Sequence, residues 1–536
     1  MQDTRYKKRI FFNLHLGSCI MNDALASLKK EELTMRTFNS MFIVIILAVA
    51  VVACNDTGSE GGGGFIPTGD IIAIAERSGT TQAIKVGGTA GAVPPGSTVE
   101  VTNISTDETQ LTIGNNDGGF DPTFMGNTND IFNILVTDGG EIVEDTTIGV
   151  TLLSQAVMKD LAQLGSTPTA IDIRGNRAYV INGFSNNIQV FDLDQNTPQQ
   201  IGTIVLPQGS NPVAMAFLDD TKAYVANNIG QSVALVNLQT RSCELIIVRT
   251  GEGNNFPPCQ VVRFVADAFE DPSGIAVANG KVYVSNNNLD EFFEPAASGF
   301  ISVIDAGNNQ FIGKMSASGA NTGGMTVVGN RIYVVNAGDI SSTPDFSEFF
   351  CDFDFPPSID VIDVESDSII DTIEIPLSET NSKVCLPNRI APTPDGRFGY
   401  MGLGLVGALL KVNLETNTIV KGPSNPIIVT DLSGLNNTGD IEINGDGFGF
   451  TTLFNSDQIA VIDTANDEIS PFPFSFFFPA GIRADNPNSD LFDGVQFLAI
   501  RPGKPGVDFE GADIFYTTGI SSKLGSVNTA LVLPPQ

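Results

Sequence analysis

Four stretches of the chain spell nearly the same word: NRAYVIN (176–182), TKAYVAN (221–227), GKVYVSN (280–286) and NRIYVVN (330–336). Looser copies stand at GRFGYMG (396–402), GFGFTTL (447–453) and ADIFYTT (512–518). Each is followed by a second element: IQVFDLD, VALVNLQ, ISVIDAG, IDVIDVE, LLKVNLE, IAVIDTA and LGSVNTA. β-Branched residues running into Asp or Asn describe a strand that enters a turn, because the Asx side chain bonds its own backbone. The expected turn residues are Asp192, Asn237, Asp305, Asp363, Asn413, Asp463 and Asn528.

A third element precedes the tyrosine strand, as in PTAIDIRGN, PVAMAFLDD, PSGIAVANG and GGMTVVGN. A fourth follows the Asx turn, as in QQIGTIVLP and SIIDTIEIP. Four short strands per unit, repeated at roughly 45–70 residues, are the arithmetic of a β-propeller. Each sheet buries both faces against its neighbours, so the strands are apolar and no unit stands alone. The Y-V-x-N strand followed by V-I-D resembles the YVTN-type β-propeller repeat family. That resemblance covers 155–536 and implies a seven-bladed propeller; the last three copies depart from its wording. The last unit ends after its third strand, so closing the ring needs a borrowed one, and TIGVTLLS (147–154) is the expected donor.

Residues 66–146 read differently. AIKVGGTAGAVPPGSTVEVTN, TQLTIGNNDGGFDPTF and DIFNILVTDGG are short alternating strands between Gly, Pro and Asp turns. They resemble a bacterial Ig-like domain, which implies a spacer. The expected fold class is therefore all-β, a seven-bladed β-propeller over 147–536 preceded by a small Ig-like β-sandwich over 66–146.

FIVIILAVAVVAC (42–54) decides the compartment. The uncharged run from Met41 to Ala53 is 13 residues, short of the roughly 20 that a spanning helix needs. Arg36 precedes it and Ala53 stands before Cys54, the layout of an export signal with a small-residue cleavage site. Val51-Val52-Ala53-Cys54 resembles a bacterial lipobox, which implies lipidation of Cys54. We expect an extension over 1–34 ahead of a start at Met35, a lipoprotein signal peptide over 35–53, and a flexible tether over 54–65. The protein is then placed in the bacterial cell envelope, lipid-anchored in the outer membrane or exposed on the cell surface.

Without 1–53, the 28 Lys/Arg and 61 Asp/Glu fall to 21 and 57, a net charge near −36. Such a chain repels phosphate backbones, so nucleic acid is not an expected partner, and membrane contact is expected through the anchor only. His15, the one histidine, leaves with the leader. That excludes Ser-His-Asp and Cys-His machinery and His-ligated metals. Carboxylate acid–base chemistry and calcium chemistry with oxygen ligands stay open. No cofactor is expected, and calcium has no specific motif. NNDGGFD (115–121) and NGDGFG (444–449) carry calcium-like oxygen spacing but read as β-turns.

Beyond Cys54 the exported chain keeps Cys243, Cys259, Cys351 and Cys385, an even number suited to disulfides. Three connectivities exist, and the two sequence-local pairs are favoured. Cys243 and Cys259 flank a stretch that reads as a hairpin; Cys351 and Cys385 lie in two long connections on one face.

The repeat leaves three stretches unexplained: NLDEFFEPAASGF (288–300), DISSTPDFSEFFCDFDFPPS (339–358) and SPFPFSFFFPAG (470–481). They hold three, five and five of the chain's 36 phenylalanines. Strand alternation puts all three on one face of a propeller. The expected binding residues are Phe292, Phe293, Phe346, Phe349, Phe350, Phe353, Phe355, Phe474 and Phe477. Aromatic anchors among carboxylates suit a protein, peptide or polymer partner with a basic rim. The bland alternative is that these loops fold down and plug the channel. A lipid-anchored binding or scaffold protein is thus expected, more readily than an enzyme. The competing function is a calcium-dependent, lactonase-like hydrolase, which needs converging Asp, Glu or Asn side chains at the channel mouth.

Overall fold

The computed structural model describes residues 71–527 apart from 76–81, 89–91, 115–119, 121, 128, 153–156, 195–197, 252–255, 291–294, 296, 344–347, 431, 433–436, 446, 457, 470–477, 480–493, 502–513 and 520. Among the described residues the fold is all-β, with a 3-10 turn at Phe454–Ser456 and no α-helix.

The first sheet has seven strands in the order Glu108–Ile113, Thr98–Asn103, Ile131–Asp138, Glu141–Leu152, Ile71–Ala75, Gln82–Gly88 and Thr123–Gly126. Alternation builds its core: Val99 and Val101, then Phe132, Ile134 and Val136, point inward from neighbouring strands. The rings of Phe124 and Phe132 meet there at 5.1 Å. Glu141–Leu152 serves both halves, pairing antiparallel with Ile131–Asp138 and, at its end, parallel with Ile71–Ala75.

That long strand corrects the expected ring closure. Most of 147–154 belongs to the first sheet, where Ile148 and Val150 pack against its core. The strand that completes the last repeat is Val157–Gln163, a few residues on, paired with Lys523–Val527.

Beyond it, the described residues form seven four- or five-stranded sheets, and a separate two-stranded hairpin. In the first of the seven, Pro168–Arg174, Arg177–Asn182, Asn187–Asp192 and Gln199–Val205 meander antiparallel from inner to outer edge. Inner strands of the next six begin at Pro212, Pro272, Thr322, Ala391, Thr438 and Val495. Side chains tie each sheet to the next. Thr169 Oγ1 donates to Pro212 O (2.8 Å), Asn228 Nδ2 to Pro272 O (3.1 Å), and Ser273 Oγ to Thr322 O (2.5 Å). Thr326 Oγ1 donates to Ile390 O (2.6 Å), Asn388 Nδ2 to Gly439 O, and Thr452 Oγ1 to Gln496 O (3.0 Å). Arg501 joins the seventh sheet back to the first, donating to Asn176 Oδ1 (2.6 Å) and Leu193 O (3.2 Å). The sheets close into a ring, which makes the fold a β-propeller. Gly274 shows how tightly the inner edges approach: a Cβ there would lie 2.3 Å from Gly323 O.

The recurring tyrosine acquires a reason. Tyr224, Tyr283, Tyr333 and Tyr400 are fully buried, and each hydroxyl reaches the outer turn of the following sheet. Tyr224 donates to Asn309 Oδ1 (2.6 Å), Tyr283 to Asp367 Oδ1 (2.5 Å) and Tyr400 to Asp467 Oδ1 (2.5 Å). Tyr333 donates to Leu414 O (2.6 Å), with Asn417 Oδ1 at 3.5 Å. Asn309, Asp367, Asn417 and Asp467 all have φ of 51–59°, a left-handed conformation that Asx residues tolerate best among non-glycines. Lys281 and Lys411 join the same acids at 2.6 Å. The final Asn of the motif is buried too; Asn336 Nδ2 donates to Asp360 Oδ2 (3.0 Å) and Ser358 Oγ (3.0 Å).

The expected Asx turns form. Asn237, Asp305, Asn413 and Asp463 accept backbone N–H groups two residues on at 2.8–3.0 Å, as does Asp192; Asp363 Oδ2 accepts that of Ser366. Asn528 lies outside the described residues. Asn444 likewise makes a turn, accepting Phe448 N on its side chain (2.8 Å).

Both favoured disulfides are present, Cys243–Cys259 and Cys351–Cys385. The hairpin expected between Cys243 and Cys259 is not. Ser242–Arg249 and Val261–Val265 pair in parallel, with Leu245 opposite Val261. Parallel register keeps residues 16 apart side by side, and the disulfide spans the same separation of 16.

Tyr400→Phe removes a buried hydrogen bond and strands Asp467 with Lys411 alone. It is expected to cost about 1.5–3 kcal/mol, the range for hydrogen bonds to charged groups. Thermal unfolding of the two proteins checks this; equal midpoints would refute the tie between sheets.

Candidate functional site

Antiparallel meanders put the second-to-third-strand loops and the sheet-to-sheet connections on one face. In the fourth sheet that loop lies between Arg331–Asn336 and Ser358–Asp363. Within it Ile340–Ser342 pairs with Phe349–Cys351 as a short hairpin. The hairpin is braced at its base. Ser341 Oγ donates to Asp352 Oδ2 (2.7 Å), Asp352 N to Asp339 O (2.9 Å), and Asp339 N to Phe355 O (3.1 Å). Cys351 N donates to Ser382 O (2.7 Å) beside the disulfide to Cys385, so the loop is tied to the connection into the fifth sheet. Gly338 is required at the loop's entry: its φ is +77°, and a Cβ would come within 2.5 Å of Phe355 O.

This frame sorts the phenylalanines. Phe349 and Phe350 are half-buried, while Phe353 and Phe355 stand 54% and 36% exposed, with Asp354 and Pro356 exposed beside them. Of the described aromatics in this loop, the hairpin's own two are partly covered and the two that follow it stand in solvent. Phe292, Phe293, Phe346, Phe474, Phe477 and Cys54 lie outside the described residues.

A second cluster sits in the channel, and nothing in the sequence pointed to it. Arg389, at the inner edge of the fifth sheet, pairs through Nε with Asp440 Oδ1 (3.1 Å) and through Nη2 with Glu442, both from the sixth. Asp440 also accepts Leu498 N from the seventh sheet (3.2 Å). Asp172, from the first sheet, feels the charges of Arg389, Glu442 and Asp440. Asp172 and Arg389 belong to sheets that are not neighbours in the ring, so both side chains reach toward its axis. At matching positions the first four sheets carry Ala170, Ala214, Gly274 and Gly324, which leaves room for the guanidinium. Arg389 keeps 36% of its side-chain surface accessible while protein surrounds it, as expected of a group facing a narrow lumen.

Burial raises the Asp172 carboxyl to about 7 from 3.8; Arg389 pulls it down, and Glu442 and Asp440 push it further up. Burial also raises Glu442. For Arg389 burial works against the charge, but Asp440 and Glu442 outweigh it and hold the proton more firmly. The channel carboxylates therefore converge on a cation supplied by the chain itself. Among the described residues no group of three or more His, Cys, Asp or Glu is placed to hold a metal ion. The described residues also contain no helix long and apolar enough to cross a membrane.

No protein-family model matches the chain, and no curated protein matches it. Several solved structures are similar. One is the hydrazine synthase of Kuenenia stuttgartiensis, at 14% identity over 69% of this chain and 97% of that one, with a TM-score of 0.48. Another is the computationally designed Ika8 protein, at 11% identity over 69% and 99%, TM-score 0.40. A third is the Pan2 WD40 domain of Neurospora crassa, at 8% identity over 70% and 96%, TM-score 0.42.

The channel makes a pH prediction. Folded Asp172 holds its proton up to about pH 7, whereas the unfolded chain releases it near 3.8. Its contribution to stability is thus present below that lower value and is lost as pH rises through the window. Asp172→Asn stays neutral throughout, so its melting temperature should gain on the parent from about pH 4 to about pH 7 and then level off. Parallel profiles for the two proteins would refute the coupling.

Proposed function

We propose that this protein is a lipid-anchored binding or scaffold protein of the bacterial cell envelope, contacting its partner through the phenylalanine loop face. In this reading Cys54 carries the lipid, the tether and an Ig-like N-terminal sheet act as spacer, and a YVTN-type propeller presents the loops. One observation carries it. Phe353 and Phe355 are held out to solvent on a loop fixed by a disulfide and a backbone hydrogen-bond frame. Leaving apolar rings in water on so well-ordered a support fits an anchor for a partner, since preformed anchors lose little entropy on binding. The flanking Asp352 and Asp354 favour a partner with a basic rim, be it protein, peptide or polymer. The channel, with its carboxylates committed to Arg389, lends the hydrolase reading no support.

The paired substitution Phe353→Ser with Phe355→Ser tests this, because neither ring is part of a buried core. Cross-linking on intact cells with mass spectrometry should show one partner captured by the parent and depleted at least ~10-fold in the variant, as loss of two aromatic anchors implies. Unchanged capture would sink the reading. Cys54→Ala should separately move the protein from the membrane to the soluble fraction.

A further inference from the structure

On the face opposite the phenylalanine loops, a cleft of about 410 Å³ opens where the first sheet meets the second. Arg174, Arg177, Tyr179, Asp192, Asp194 and Asp220 line it. Some of these charges are spoken for. Arg174 holds Asp220 through Nη2 (2.8 Å) and Nε (3.0 Å), and Asp194 faces Arg501 at 3.5 Å. Asp192 Oδ1 accepts the backbone N–H of Asp194 (2.9 Å), and its other oxygen has no partner among the described residues. The Arg177 guanidinium makes no ion pair or hydrogen bond among the described residues, although its backbone lies in register with Asp192.

Tyr179 is the second, independent sign. It is 2% exposed, yet its hydroxyl has no hydrogen-bond partner among the described residues. The equivalent hydroxyls of Tyr224, Tyr283, Tyr333 and Tyr400 all donate into the next sheet. At the corresponding turn position the second sheet carries Arg241, at φ 55°, where the next sheets carry Asn309, Asp367, Asn417 and Asp467. The acceptor is missing at this interface, and the hydroxyl is left on the wall of the cleft, outside the set of fully buried polar atoms, where a ligand can reach it.

We propose that this cleft binds a small zwitterion of the amino-acid type. Arg177 and Tyr179 take the carboxylate, one by charge and one by hydrogen bond, and the second carboxylate oxygen of Asp192 takes the ammonium. The whole-chain charge of −33 selects for this class, because it repels a plain anion on approach but not a solute of zero net charge. The volume falls within the roughly 300–1,000 Å³ of small-molecule sites.

The test uses the exported chain and the standard L-amino acids as probes, each at about 20 mM, enough to fill a site with a Kd of about 1 mM. At least one should raise the melting temperature, and calorimetry should then give its Kd. For that amino acid, the matching amine without the carboxylate and the matching acid without the ammonium should each bind at least ~10-fold more weakly, as loss of a charged hydrogen bond implies. Arg177→Gln should weaken binding ~10-fold or more. Tyr179→Phe should weaken it too, while leaving the melting temperature of the unliganded protein unchanged or higher. No shift with any amino acid, equal binding by the truncated ions, or undiminished binding by Arg177→Gln would overturn the proposal. So would a Tyr179→Phe protein as destabilised as Tyr400→Phe, since the hydroxyl would then have its partner within the fold.

Discussion

A tyrosine hydroxyl buried between two sheets has to find an acceptor, and much of this fold's regularity follows from that. The acceptor must come from the next sheet, at a turn, on a side chain short enough to reach back. Asn309, Asp367 and Asp467 meet this need and a second one together: each occupies a left-handed position that most side chains resist and offers an oxygen at 2.5–2.6 Å. One residue thus closes its own turn and latches the neighbouring sheet. Burial, with Asp305 nearby, pushes the Tyr224 hydroxyl up to about 12, so these phenols stay donors at any ordinary pH.

Chemistry collects where the repeat departs from this rule. In the channel, small residues on four inner edges make space that Arg389, Asp440 and Glu442 fill from the fifth and sixth sheets. Seven identical edges would leave either an empty pore or seven like charges. Asymmetry lets one guanidinium neutralise carboxylates from its neighbour, while burial pushes the surplus acid at Asp172 upward. At the interface of the first two sheets, Arg241 stands where an acceptor belongs, and a polar cleft remains instead of a latch.

The repeating part of this architecture was legible because period-two alternation and Asx turns are local. NRAYVIN and IQVFDLD declare their strands and turn without help from distant residues. Strand donation was misplaced by a few residues, since 147–154 alternates as well as 157–163 does and only packing against the first sheet's core decides between them. Parallel pairing at Val261–Val265 was illegible for a similar reason: spacing and turn residues do not reveal which way a strand returns. The Phe loops announced themselves by composition, yet only the disulfide frame separates Phe353 and Phe355 from the half-buried Phe349 and Phe350. The channel cluster gave no signal, because Asp172, Arg389 and Asp440 lie in three different repeats and look ordinary in each.

Charge links the two faces. A chain of net −33 surrounds itself with a field that favours cationic partners and turns anions away, screened beyond about 8 Å at physiological salt. Several of its cations are spent inside the fold, with Lys281 and Lys411 on interface acids and Arg389 in the channel. Little positive charge is left to soften the surface, so a macromolecule landing on the exposed Phe353 and Phe355 does best with a basic rim. A carboxylate can approach only where a local cation meets it, and only if its own molecule brings a compensating charge. Arg177 supplies that cation in a cleft that Asp192 also lines, which is why a neutral solute with two opposite ends suits the cleft better than either ion alone.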